Sequence, residues 1–211
     1  MTANRVRMTG QERREQLIGV GREVFAERGF EAASVEEIAD RAGVSKPVVY
    51  EHFGGKEGLY VVVVDREVHR LLEALMQALS DAPHPRAAVE RSVDVFLEYI
   101  EHHRDGFRIL VRDAPVGTSS GTLPSLLNDV AEKAQSILAA EFKARDLDPK
   151  LAPLYARALV GMVALVGEWW LETGKPKPSE VAAHLVNLAW NGLQGLDPDP
   201  LRSASRRARG A

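Results

Sequence analysis

The sequence predicts an all-α protein with a three-helix helix-turn-helix head at its N-terminus and a larger helical body. Three observations support this prediction. Proline- and glycine-rich breaks such as DAPHP and GKPKP separate long apolar-periodic segments. No stretch shows the two-residue alternation of a β-strand. Apolar residues recur instead at helical spacing, beginning with Leu17, Ile18, Gly21, Val24 and Phe25. We place the head at residues 1–55, the body at 56–200 and a basic tail at 201–211.

Start and stop signals bound the individual helices. The first helix ends at Gly29, because glycine commonly follows a helix. The predicted helices cover about residues 9–28, 34–43, 45–53, 56–80, 85–103, 105–115, 125–145, 151–173 and 178–196. The stretch VGTSSGTLP is a small-residue loop that we expect to be mobile. The tail LRSASRRARGA is expected to be disordered.

Composition limits the classes of protein to which the chain can belong. Its 211 residues are 45% hydrophobic and 27% charged, which is typical of a globular protein with a sizeable core. The absence of cysteine excludes disulfides, cysteine-ligated zinc and a thiol nucleophile. The N-terminal residues lack the apolar stretch of a signal peptide, and the longest apolar run, Ala158–Gly167, is about half of what a membrane span needs. We therefore expect a cytoplasmic protein with no membrane partner.

The net charge of −3 gives the chain no overall basic character. Positive charge is concentrated locally, near the N-terminus at Arg5, Arg7, Arg13 and Arg14 and again in the tail. Any surface that binds a polyanion must therefore be a local arrangement of cations.

The stretch SVEEIADRAGVSKPVVYEHF has the pattern of two short helices joined by a tight turn. Ser34 and Glu37 have the spacing of a capping box, in which the hydroxyl accepts from the third helical N–H and the carboxylate accepts from the Ser34 N–H. Gly43 ends the first helix. Ser45 is expected to cap the second, with Pro47 in its first turn. This is a helix-turn-helix arrangement.

The second of these helices has an unusual outward face. At about 100° per residue, Val49 and Phe53 share its buried side. The residues that point away are Pro47, Val48 and Glu51, with Tyr50 and His52 on opposite flanks. Methyl groups could meet thymine methyls, and flanking tyrosine and histidine could reach phosphates on either side of a groove. The outward set therefore suits a helix that lies in the major groove of DNA.

Lys56 begins the next helix, directly after two glycines. An ammonium group beside a helix N-terminus makes a good phosphate site. A solvated surface lysine is the alternative, but the neighbouring features favour the phosphate contact.

The segment FAERGFEAASVEEIADRAGVSKPVVYEHFGGKEGLY resembles the DNA-binding head of the TetR family of transcriptional regulators. The resemblance covers about residues 13–60 and combines the caps, the turn glycine, the core positions and the trailing lysine. It implies a homodimer that binds a pseudo-palindromic double-stranded DNA operator and is released, as a repressor, by a small-molecule effector. The positions that it places near DNA are Ser34, Ser45, Lys46, Pro47, Val48, Tyr50, His52 and Lys56.

The last two predicted helices are apolar over an unusually wide arc, in LVGMVALVGEWW and VAAHLVNLAWNGLQGL. A helix of this kind must bury one side on its own body and the other on a partner, which favours a four-helix dimer interface over a single core. We also expect an apolar small-molecule cavity within residues 85–175. Its lining candidates are Tyr99, Phe107 and Trp169, although aromatic residues such as Trp169, Trp170 and Trp190 are more often part of a core or an interface.

Alternative functions receive less support from the sequence. Adjacent histidines on a helix point about 100° apart, so His102 and His103 with Asp105 are a poor metal site. The chain has no P-loop, GxGxxG, GxSxG or HExxH motif, so we predict no catalytic residues, no metal and no cofactor. The competing hypothesis is a helical ligand-binding or enzymatic protein whose head docks a protein instead of DNA.

Overall fold

The computed structural model describes residues 8–112, 122–198 and 200. Within these residues all the regular secondary structure is helical and no strand forms, which confirms the predicted all-α fold class. The helices are α1 (Gly10–Ala32), α2 (Val35–Ala42), α3 (Lys46–Phe53), α4 (Lys56–Ser80), α5 (Pro85–His102), α6 (Arg104–Val111), α7 (Leu123–Ala144), α8 (Ala152–Thr173) and α9 (Pro178–Gln194), with a 3₁₀ turn at Pro149–Leu151 before α8.

Most predicted boundaries lie within two residues of the observed ones. The two largest differences are four residues each: α1 continues to Ala32 past the predicted end at residue 28, and α6 ends at Val111 although the sequence predicted a helix to about residue 115. Arg112 has extended backbone angles, with φ of −75° and ψ of 153°, and these end the helix. The loop and the tail that were expected to be mobile and disordered lie largely or wholly outside the described residues.

Inter-residue contacts divide the chain into two compact units. One unit consists of the chain up to Leu71 together with His102–Ser125, and the other of Leu72–Glu101 together with the chain from Leu126 onward. Helix α4 therefore begins in the first unit and ends in the second. The sequence analysis divided the chain by function, into a head that ends at residue 55 and a body that ends at residue 200. Contacts within the chain do not test this functional division, so it stays a prediction.

The first unit contains the helix-turn-helix segment, and its core joins α1 to α4. Five residues from these four helices are at most 1% exposed, namely Leu17, Phe25, Ile38, Val49 and Leu59. The short helices α2 and α3 are too short to be stable alone, so this shared core supplies the burial that holds them.

Helix α1 begins with a reciprocal cap that the sequence analysis missed. The Glu12 N–H donates to Thr9 Oγ1 at 3.2 Å, and the Thr9 N–H donates to Glu12 Oε2 at 2.7 Å. The helix is interrupted at Gly29, whose φ of +77° is a conformation that favours glycine. The predicted stop at Gly29 therefore corresponds to a real break in the helix.

The second unit is a helical body built from the end of α4 and from α5, α7, α8 and α9. Part of its core is a cluster of Leu138, Phe142, Ala152, Ala156 and Leu193. Helices α5 and α8 approach closely at Gly167, where an added Cβ atom would lie 2.4 Å from Phe96 Cε1. A larger residue at this position would push the two helices apart.

Large apolar side chains remain exposed on α8 and α9. The exposed fractions are 63% for Leu154, 67% for Leu165, 51% for Trp169 and 63% for Leu188. The segment Pro149–Thr173 is also long and apolar enough to cross a membrane, with a mean hydropathy of 1.4 and 22% of its most apolar window buried. Length and composition alone make this weak evidence for a membrane span, since the core helices of soluble proteins can have the same properties.

Candidate nucleic-acid interface

The turn between α2 and α3 has the geometry that the sequence predicts. Gly43 ends α2 in the left-handed region, with φ of +64° and ψ of 38°, and the Val44 N–H donates to the Ala39 carbonyl at 2.9 Å. A side chain at Gly43 would be strained in this conformation. The tight turn fixes α3 against α2 and so determines which side of α3 faces outward.

The caps of α2 and α3 differ in part from the prediction. Ser34 Oγ accepts from the Glu37 N–H at 3.1 Å, as predicted, but the return half of the capping box is replaced. Glu37 Oε1 instead accepts from Arg41 at 2.7 Å and pairs with Arg28 at 3.5 Å. Two cations hold a carboxylate more strongly than one backbone N–H does, which explains the difference.

Ser45 occupies the N-cap position of α3, but its side chain makes no capping hydrogen bond. Pro47 has no N–H to donate, and the Val48 N–H donates to the Ser45 carbonyl at 3.0 Å. The predicted side-chain cap is therefore wrong, because these two residues leave the hydroxyl without a suitable donor.

The faces of α3 agree with the helical-wheel assignment. Val49 is fully buried, whereas Tyr50 is 54% exposed. Phe53 is half-buried, with the Arg14 guanidinium 4.5 Å from its ring centroid. The remaining outward positions are Pro47 and Glu51, which are exposed, and Val48 and His52, which are half-buried. Whether these residues contact DNA stays a prediction.

Both lysines of the predicted interface already have partners within the chain. Lys46 pairs with Glu36 of α2, and this hydrogen bond raises the pKa of Lys46. Lys56 Nζ donates to the carbonyls of Phe30 at 2.9 Å and Glu31 at 3.3 Å. It also lies 4.4 Å from the centroid of the Phe30 ring. Lys56 thus compensates the carbonyl end of α1, so a phosphate would have to compete with these carbonyls for the ammonium group.

A buried carboxylate that the sequence analysis overlooked lies in the same unit as this interface. Glu67 of α4 is 1% exposed, and both of its oxygens accept from Arg70 Nη1 at 3.0 Å. Arg22 Nη1 of α1 lies 3.6 Å from Glu67 Oε1. At the first turn of α6, a Cβ atom added to Gly106 would lie 2.4 Å from Glu67 Oε2. One carboxylate therefore joins α1, α4 and α6, and we call these four residues the Glu67 cluster.

His103 precedes α6 beside this cluster. Burial lowers its pKa below the ordinary value, and the positive charge of Arg70 lowers the pKa further, while Glu67 opposes the shift. A second link between α1 and α6 is the hydrogen bond from Arg112 Nη1 to the Ala26 carbonyl at 2.9 Å. The only signal for this cluster in the sequence is the Glu67–Arg70 spacing on α4, which is also typical of a solvated helix face.

The second unit contains an apolar cavity of about 100 Å³. It is lined from α4, α5, α7, α8 and α9. An apolar cavity is therefore present in the body, but its lining extends beyond the expected residues 85–175 to α4 and α9. None of the three lining candidates contributes to it. Tyr99 and Phe107 are 5% and 0% exposed and pack within the helices, whereas Trp169 is 51% exposed at the surface. Trp190 does line the cavity.

A helix-turn-helix with an outward second helix, attached to a helical body, is typical of DNA-binding regulators of transcription. Residues 17–63 match the family model described as "Bacterial regulatory proteins, tetR family", and residues 85–192 match "Tetracyclin repressor-like, C-terminal domain". The chain belongs to the TetR family of transcriptional regulators.

Individual relatives are similar along most of their length. The chain is 36% identical over 192 residues to the "HTH-type transcriptional activator FasR" of Mycolicibacterium smegmatis, covering 89% of this chain and 85% of the relative. A TetR-like regulator from Rhodococcus sp. RHA1 has a TM-score of 0.76 at 30% identity, covering 90% of this chain and 100% of the other. A TetR-family regulator from Streptomyces coelicolor has a TM-score of 0.65 at 26% identity, covering 96% and 90%. These relatives are regulators of transcription, which argues against the enzymatic alternative.

Proposed function

We propose that the protein acts in the cytoplasm as a homodimer that binds a pseudo-palindromic operator and responds to a small-molecule effector. The observation that carries this proposal is the outward face of α3, where Tyr50 is 54% exposed beside the half-buried Val48. Each protomer places α3 in a major groove, with half-sites about one helical turn apart or a multiple of it.

The contacts with DNA divide into two kinds. Lys46, Lys56 and Tyr50 bind phosphates, together with Ser34, Ser45 and His52, and fix the position of the head. Pro47 and Val48 face the base edges and contribute apolar readout. When DNA binds, Lys46 exchanges its ion pair with Glu36 for a phosphate, and Lys56 exchanges the carbonyls at the end of α1 for another. The loss of these intramolecular contacts offsets part of the favourable free energy of binding phosphate.

The homodimer forms through α8 and α9. Leu154, Leu165, Trp169 and Leu188 are all more than half exposed, and such a set would be costly to leave in water. A second copy of the chain can cover them by the same surface, which gives the self-complementary interface of a two-fold dimer.

The effector binds the apolar cavity and shifts the population of body conformations. Helix α4 belongs to both units, and the chain passes directly from α5 to α6 at the boundary between Glu101 and His102. A change in the body can therefore reach the head through α4 and through α6, which the Glu67 cluster attaches to α1.

We propose repression as the primary role, with the effector releasing the dimer from its operator. Activation is a second candidate, because the relative at 36% identity carries the name of an activator. The same head and dimer serve both roles, since the position of the operator relative to the promoter determines whether binding lowers or raises transcription.

The test combines binding-site mapping with expression measurements. Chromatin immunoprecipitation should find pseudo-palindromic sites, and purified protein should bind them with strong salt dependence. Deletion of the gene should raise transcription next to these sites if the protein is a repressor and lower it if the protein is an activator. No change at any mapped site would contradict both roles.

A further inference from the structure

The lining of the apolar cavity extends along most of α7. Its lining on α7 begins at Leu127 and ends at Phe142, about 22 Å along the helix at a rise of about 1.5 Å per residue, and it continues to Arg145 just after the helix. The volume of the cavity is about 100 Å³. For comparison, a compact apolar cavity of about 150 Å³ binds benzene. A small volume with a lining that extends along one helix favours a flexible chain over a compact ring system.

The walls offer very few polar groups. Among the lining residues, Ser92, Glu141 and Arg145 have polar side chains and Trp190 has an indole N–H. Glu141 lies in the last turn of α7, and Arg145 directly follows the helix. The Arg145 guanidinium already donates to the carbonyls of Leu193 at 2.9 Å and Gln194 at 3.0 Å, so it closes that end of the cavity. Most of the length is bounded by alkyl and aromatic carbon.

Ser92 of α5 is the exception within the apolar part. A helical serine commonly donates to the carbonyl four residues earlier, which here belongs to Ala88. The Ser92 hydroxyl is buried but has no hydrogen-bond partner among the described residues. Because an unpaired buried hydroxyl is destabilising, a group at this position is expected to have a partner in the functional state.

We propose that the effector carries a linear alkyl chain, bound along α7, and one hydroxyl or carbonyl group that hydrogen-bonds to Ser92. This inference rests on the proposed function for its biological role, but binding to the cavity is measurable without DNA. An alkyl chain matches the apolar walls and their extension along α7, and a single polar group satisfies Ser92.

The first experiment measures the affinity of the full-length protein for n-alcohols from 1-hexanol to 1-tetradecanol by calorimetry. Each added methylene should strengthen binding about fourfold until the cavity is full. The control is 1-adamantanol, which has the same number of carbons as 1-decanol in a compact cage and should bind at least tenfold more weakly. Equal or tighter binding of the cage, or no dependence on chain length, would overturn the proposal.

The second experiment tests Ser92. The variant Ser92→Ala should bind 1-octanol about three- to tenfold more weakly while its binding of n-octane is unchanged, because only the alcohol loses a hydrogen bond. Equal effects on both probes would mean that the substitution altered packing, and no effect on either would mean that Ser92 does not contact the polar group. Either result contradicts the assignment.

A third variant tests the position of the chain. Ala134 lines the cavity near the middle of the α7 wall, so Ala134→Phe should end the gain in affinity at a shorter chain and leave the shortest alcohols unaffected. Ala140→Phe places the same side chain on an exposed position of α7 outside the cavity lining and serves as the matched control. An unchanged chain-length limit in Ala134→Phe would place the ligand elsewhere.

The outcomes separate this inference from the proposed function. A protein that binds operator DNA but no alkyl probe refutes the ligand class and leaves the regulator intact. A protein that binds the alkyl series but no DNA refutes the regulator and leaves the ligand class intact.

Discussion

The outward face of α3 and the outward faces of α8 and α9 are both exposed, but they differ in chemistry. The α3 face combines half-buried Val48 and exposed Tyr50 with nearby lysines that are held by carbonyls or a carboxylate. The α8 and α9 faces present leucine and tryptophan side chains that are more than half exposed. The first surface is suited to a polyanion, and the second to an apolar partner.

The difference determines how each surface should respond to solution conditions. Binding to phosphates releases counterions, so it weakens steeply as salt rises. Apolar association depends on the area removed from water and changes little with moderate salt, but it fails when a charge is placed in the interface. Salt and charge substitutions therefore distinguish the two surfaces.

The largest expected effect comes from Leu188→Glu in α9. Leu188 is 63% exposed in the single chain, and the proposed dimer buries it. A glutamate there would leave an unpaired charge in an apolar interface, which costs several kcal/mol. Sedimentation should show a dimer for the wild-type chain at micromolar concentration and a monomer for the variant.

Two controls accompany this measurement. Leu188→Met keeps the apolar volume and should remain dimeric. Ser136→Glu adds the same charge at an exposed position of α7 and should also remain dimeric. A wild-type chain that sediments as a monomer at micromolar concentration would refute the dimer itself.

The next largest effect concerns the Glu67 cluster, which belongs to neither exposed surface. Glu67→Gln removes the charge that Arg22 and Arg70 face, and breaking a buried ion pair in this way typically costs about 3–5 kcal/mol. The free energy of unfolding from urea titrations should fall by about this amount. Dimerisation at temperatures where the variant is folded should not change.

The matched control for that prediction is Glu73→Gln, because Glu73 lies on the same helix and is exposed. Its free energy of unfolding should stay within about 0.5 kcal/mol of wild type. Equal stability of Glu67→Gln and Glu73→Gln would show that the buried carboxylate contributes nothing to joining the three helices.

The two regions also differ in how much of them the sequence predicts. The helix-turn-helix depends on residues close together in the chain, such as Ser34, Gly43 and Val49, so local rules locate its helices, turn and faces. The same local rules fail where a competing partner comes from farther away. Glu37 pairs with Arg28 as well as Arg41, and Lys56 binds carbonyls of α1, 26 and 25 positions away.

The lining of the cavity and the Glu67 cluster were not predictable in this way. Both are assembled from helices distant in sequence, and a buried Glu67 has the same local pattern as a solvated one. Tyr99 and Phe107 are aromatic residues of the kind expected in a ligand site, but both are buried against neighbouring side chains and do not border the cavity. Ser92 and Trp190 are among the residues that line it instead. Which apolar residues border empty space depends on how the helices pack, and helical periodicity does not contain that information.

A smaller effect is expected from Lys56→Ala in the head. The loss of one phosphate contact should weaken binding to all operator sequences alike and lower the slope of log affinity against log salt by about one. Lys143→Ala, an exposed lysine of α7, is the control and should change neither quantity. Because Lys56 also holds the carbonyl end of α1, circular dichroism should first confirm that the variant is folded.

An unchanged affinity and salt slope in Lys56→Ala would show that the ammonium group keeps its carbonyl partners, Phe30 and Glu31, when DNA binds. The orientation proposed for the head would then be wrong, although the class of protein would not.

The smallest and most specific effects are expected from Val48 and Tyr50 on α3. Val48→Ala removes methyl groups, so affinity should fall only for operators with a thymine methyl at one position, by about 1 kcal/mol. Tyr50→Phe removes a hydroxyl that donates to the DNA backbone, so it should weaken all sequences by about the same amount, without changing the salt slope, because no charge is lost. Binding to a library of operator variants at several salt concentrations separates the two patterns. A sequence-independent loss in Val48→Ala, or a position-specific loss in Tyr50→Phe, would mean that α3 is rotated in the groove by roughly two residues from the face that its burial pattern indicates.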